Sequence, residues 1–136
     1  MSSSEREEHN LDSPALFFNL EDEIEELKTQ KAWREGERNG ITLIKSQQVR
    51  VTLIALKKGS KLPEHHAPGR MTLAVISGKI KFEVSKEEKE LGQHEIVALQ
   101  ERLPHAVEAL EDSAVLLTIV PDAEHKAHLD SQKNPD

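Results

Sequence analysis

Gly59-Ser-Lys-Leu-Pro-Glu-His-His-Ala-Pro-Gly-Arg-Met-Thr-Leu-Ala-Val-Ile-Ser-Gly78 joins two kinds of signal in one short span. Glycines and prolines break it into turns, and the run from Arg70 to Ile76 is β-prone. Between them lie two adjacent histidines beside Glu64, side chains that bind metals and move protons. The stretch therefore predicts a turn rich in potential ligands that leads into a strand.

The same alternation of turns and short extended runs continues on both sides. Towards the N-terminus lie Ile41–Lys45 and Val49–Leu56. Beyond Gly78 come Lys79–Val84, Glu95–Leu99, His105–Leu110 and Ala114–Val120. Seven or eight short strands in about 80 residues predict an all-β, antiparallel barrel or sandwich. In Ile80-Lys-Phe-Glu-Val84 the apolar side chains alternate with charged ones, the mark of a strand with one wet face. Leu53–Leu56 and Val115–Ile119 hardly alternate, which predicts cover on both faces. That cover is expected from an N-terminal helix or from a second copy of the chain, so a homodimer is expected.

A helix over residues 20–31 follows from Leu20, Ile24 and Leu27, which recur with helical spacing. Asn19 is placed to cap it, and Glu21, Asp22 and Glu23 suit the positive end of its dipole. Residues 1–14 and 122–136 are polar and charged and are expected to fray, which leaves one domain over 15–121. Trp33, without aromatic neighbours, is expected to pack in a core or an interface.

Composition narrows the function. Against 25 acidic residues stand 18 Lys and Arg, for a net charge of −7, which opposes binding to nucleic-acid phosphates or anionic lipid. Cysteine is absent, so disulfides, thiol nucleophiles and thiolate metal sites are excluded. The first residues lack the basic and apolar regions of a signal peptide, and no apolar run nears the roughly 18 residues of a membrane span. The expectation is a cytoplasmic protein. Neither a nucleophile elbow nor a phosphate-cradling glycine run is present, and the acidic stretch Glu87-Glu88-Lys89-Glu90 reads as a solvated surface.

From Val49 to Pro121 the order of glycines, histidines and strands resembles the cupin family, in particular small stand-alone members of the conserved-barrel type. The family's first motif runs Gly, five residues, His, one residue, His, three or four residues, Glu, six residues, Gly. Its second begins with Gly and reaches a His after a proline-rich turn. Gly59, His65 and Gly78 fall on the first motif, and Gly92, Pro104 and His105 on the second. The resemblance implies a cupin-type β-barrel, or jelly roll, with one short N-terminal helix. Met71, Leu73, Val75, Phe82, Val107 and Ile119 are then among the residues expected to line an apolar pocket inside the barrel, where a small molecule would bind.

Two positions depart from the pattern: Ala67 occupies the second His position and Met71 the Glu position. A shifted alignment puts Glu64 and His66 in the alternating positions, at the expense of the spacing from Gly59. The implied metal site therefore has His65 and His105 as donors, with Glu64 or His66 as a third, for a divalent transition metal such as Zn, Fe, Ni or Mn. Met71 is a soft thioether that reads more simply as core. Two expectations stand side by side: a metal-dependent enzyme acting on a small molecule, or a metal-free cupin that binds or senses one. A third is a packed scaffold that meets a protein partner through its acidic helix.

Overall fold

A computed structural model of the chain describes residues 14–65, 69–100 and 103–122, and for residues 63–65 the backbone alone. Apart from Pro14 and Asp122, the tails expected at 1–14 and 122–136 lie outside the described residues. Helix α1 (Leu20–Thr29) starts where the sequence predicts, the Asp22 N–H donating to Asn19 Oδ1 at 3.0 Å. It stops earlier than expected. Gln30 is extended, and the Asn39 amide reaches across to donate to the Leu27 carbonyl and to Gln30 Oε1. A terminal carbonyl of α1 is thus satisfied from the sheet. A one-turn helix, α2 (Lys31–Arg34), follows.

Nine strands follow: β1 (Arg38–Lys45), β2 (Arg50–Leu56), β3 (Lys61–His65), β4 (Gly69–Ser77), β5 (Lys79–Val84), β6 (Glu87–Gly92), β7 (Ile96–Leu99), β8 (His105–Ala109) and β9 (Ser113–Pro121). They form two antiparallel sheets, one in the order β1-β2-β9-β4-β7 and the other β3-β8-β5-β6. Their inner faces share one core that contains Leu56, Leu73, Val75, Ile80, Phe82 and Val115. This is a jelly roll, as expected.

The two strands that sequence reasoning missed, β3 and β6, are the edges of the same four-stranded sheet. Pro63 and Glu64 fall where the β3–β8 register slips, between Leu62 and His65, a bulge on an edge strand that tolerates a proline. β6 is made of the charges read as mere surface; exposed charged residues are how edge strands avoid pairing with other molecules.

The double cover predicted for Leu53–Leu56 is present. Ile54 and Leu56 face the inter-sheet core, while Leu53 and Ala55 pack in a second cluster with Leu27, Ile41, Leu43 and, from α1 and α2, Ile24 and Trp33. The cover comes from the helices, so the pattern of these strands gives no independent support for a second copy. Trp33 sits between the Lys28 and Lys57 ammonium groups, 5.3 and 5.1 Å from its ring. No helix among the described residues is long and apolar enough to cross a membrane.

Candidate functional site

Two glycines of the implied motif have clear structural reasons. Gly59 turns the chain from β2 into β3 at φ +86°, and its N–H donates to the Ala109 carbonyl. Gly78, also at φ +86°, lies against the start of β9; a Cβ there would collide with Ser113 Oγ and the Asp112 carbonyl. Only glycine meets both demands at once. Ser113 Oγ accepts from the Lys79 N–H and approaches the Lys79 and Glu111 carbonyls, which fixes the β4–β5 hairpin onto β9.

His105 opens β8 and is 2 % exposed. Its ring stacks on Phe82, centroids 5.6 Å apart and planes 11° from parallel. Nδ1 lies 3.0 Å from the Leu103 carbonyl. A carbonyl only accepts, so Nδ1 is the donor, and in the neutral form of the ring the lone pair is on Nε2. Backbone and ring stack together hold this imidazole in one orientation.

The backbone places His65 directly opposite His105 in the β3–β8 ladder, the nearest relation that neighbouring strands offer. The slip between Leu62 and His65 produces this pairing: without an extra residue on β3, strand alternation would not bring 65 opposite 105. His66 lies outside the described residues, as do the side chains of Glu64 and His65. His9, His125 and His128 are also outside them, whereas His94 sits in a turn at φ +72°.

Met71, in the position where the cupin pattern has Glu, is 3 % exposed and belongs to the inter-sheet core. Leu73, Val75, Phe82, Val107 and Ile119 are buried in the same cluster. A cleft of about 180 Å³ lies instead over the outside of the four-stranded sheet, lined by Lys61, Lys81, Glu83 and Glu108 among others. Two of its charged side chains pair with each other, Lys81 lying 3.3 Å from Glu108, and Lys81 is also 3.3 Å from Glu88 beside the cleft. The hydrogen bonds that the Lys81 ammonium donates to Glu108 and, next in weight, to Glu88 hold it above its ordinary pKa.

Sequence reasoning passed over Arg50. Counting back from Leu56 by twos reaches Ile54, Thr52 and Arg50, so period-two alternation puts this arginine on the inner face, and that signal was available. The register agrees, pairing Arg50 with the core residue Ile119.

No family model matches the sequence, and no curated protein does. Solved structures do resemble it. A conserved protein of unknown function from Streptococcus pyogenes is 20 % identical over 84 % of this chain and 93 % of its own, with a TM-score of 0.64. A cupin 2 conserved barrel domain protein from Leptotrichia buccalis is 30 % identical over 63 % of this chain, which spans 42 % of that protein, with a TM-score of 0.60. An RmlC-like cupin family protein from Methanocaldococcus jannaschii, described as a double-stranded β-helix, is 17 % identical over 68 % of this chain and 85 % of its own, with a TM-score of 0.59.

Proposed function

From the premise that the chain has the cupin fold, we infer that it binds a small molecule at the end of the barrel where His105 sits and holds a divalent transition metal there. The observation that carries this reading is His105 itself, buried and oriented through Nδ1, with His65 opposite it in register. Metal-ligating histidines characteristically give their second ring nitrogen to a carbonyl or carboxylate, which fixes the tautomer that binds through the other. His65 and His105 would be two donors and Glu64 or His66 the third, a set of imidazole and carboxylate that suits Zn, Fe, Ni or Mn. A bound ion supplies Lewis acidity towards an oxygen of the small molecule. The residues of this chain supply orientation and a dry wall of Phe82, Met71 and Ile119. Recognition, rather than any particular reaction, is what they support.

A metal-free binding cupin is the second reading, and Met71 favours it: β4 offers a buried thioether where the family pattern has a carboxylate. Elemental analysis of protein purified without chelator separates the two, with His65→Ala and His105→Ala prepared in parallel and their folding checked by circular dichroism. The expected result is close to one metal per chain in the parent and loss in both variants. Equal metal in all three proteins would refute joint ligation. A parent that takes up no metal on reconstitution would establish the metal-free reading.

A further inference from the structure

One row of residues runs straight across the five-stranded sheet. Lys45 pairs with Arg50, Arg50 with Ile119, Ile119 with Met71, and Met71 with Leu99. Directly opposed residues share a face, and Ile119, Met71 and Leu99 all belong to the inter-sheet core. The row therefore lies on the inner face, apolar over three strands and doubly cationic at its β1–β2 end.

Its position along the barrel is fixed by connectivity. The chain passes from His65 at the end of β3 to Gly69 at the start of β4, two residues before Met71. It passes again from Leu99 at the end of β7 to His105 at the start of β8. Both crossings join this row to the His105 end of the other sheet.

The cationic end of the row is not satisfied within the described protein. Arg50 Nε is buried without a hydrogen-bond partner, and no carboxylate among the described residues pairs with Lys45 or Arg50. Like charges directly opposed across two strands repel, and a buried donor without an acceptor is costly. The chain is acidic, with a net charge of −7, yet it places two cations side by side here with no counter-charge among the described residues. On the outside of the other sheet, lysines and glutamates are paired across the strands. Such unrelieved local conflict is characteristic of a binding site.

We propose that Lys45 and Arg50 bind the carboxylate of a small organic acid whose apolar part lies along Ile119 and Met71. The guanidinium fork matches a carboxylate in a bidentate manner, with Nε–H as one of the two donors. Lys45, exposed at the hairpin base, adds a point charge. The proposal deepens the reading of this end of the barrel as a small-molecule site and requires no metal.

The test is to titrate the intact chain, in low salt, with phenylacetate, its neutral amide and inorganic phosphate, following the Arg50 Nε–H and Met71 methyl signals by NMR. Phenylacetate should move both, and the amide neither. Arg50→Gln should weaken phenylacetate binding by about tenfold or more. Lys45→Gln should weaken it by about two- to fivefold. Without ligand, Arg50→Gln should unfold at the same temperature as the parent or higher, since a strained cation is removed; a clear loss of stability would mark Arg50 as structural and overturn the proposal. Phosphate binding as tightly as phenylacetate would also overturn it, by making the site one for inorganic anions. If the amide moves Met71 but leaves Arg50 still, the anion site is refuted and the small-molecule reading stands. If no probe moves either signal, this proposal falls, while metal uptake through His65 and His105 is a separate readout that stands or falls without it.

Discussion

The two sheets share a core, yet their outer faces reach stability by opposite means. The five-stranded sheet carries apolar residues outward at Leu53, Ala55, Ile41 and Leu43 and lays α1 and α2 over them. The four-stranded sheet carries lysines and glutamates outward and leaves them in water, joined as Lys79–Glu90, Lys81–Glu88 and Lys81–Glu108 at 3.3–3.7 Å. Burial of an aliphatic side chain is worth about 1.5–3 kcal/mol, whereas an exposed ion pair is worth little because water screens it and long side chains lose freedom. The helix-covered face should therefore carry the stability, and the charged face the solubility and the guarded edges.

Leu53→Ala breaks this contrast most sharply. Leu53 is fully buried beneath α1, and its truncation should cost about 2–5 kcal/mol, measured by denaturant unfolding. A loss below about 1 kcal/mol would mean that the helices rest loosely on the sheet. On the charged side, the two-residue turn between β5 and β6, Ser85 and Lys86, has φ of 49° and 69° with no glycine. This is the pattern of a turn that favours Asn-Gly. Ser85→Asn combined with Lys86→Gly should raise stability by about 0.5–1 kcal/mol; no gain would show that this hairpin is already relaxed.

The smallest effect is expected at Lys81. Its pKa is raised by Glu108 and Glu88, so whatever it contributes is complete below the ordinary lysine value and fades as pH rises through the higher folded one. Lys81→Met should leave the thermal midpoint nearly unchanged at pH 7, and the small difference from the parent should vanish in alkali. A large drop at neutral pH would overturn the assignment of this face to solubility.

Legibility from sequence follows the same division. β5 is found at its observed bounds because Ile80, Phe82 and Val84 alternate with charges, and α1 begins where Asn19 and the acidic first turn place it. β3 and β6 are hidden because an edge strand needs only one neighbour, which frees it to hold a proline, a bulge or a run of glutamates. Locally those residues read as a turn or a surface, and only the partner strand reveals them. The site shows the same limit. His65 and His105 can be singled out by spacing, but what sets them opposite each other is a slip against β8, a tertiary event. Arg50 was legible through alternation, but arginine is so often exposed that its place on the inner face draws no notice.

The stack of Phe82 on His105 makes the molecule easy to observe. The chain has three phenylalanines, one tryptophan and no tyrosine, so its aromatic proton spectrum is sparse. Ring currents shift the protons of a neighbouring ring, and with the two rings held 5.6 Å apart in one orientation the imidazole protons of His105 should resonate apart from those of the other histidines. The protein thus carries a natural spectroscopic label at its proposed site, readable without isotope enrichment or an attached dye.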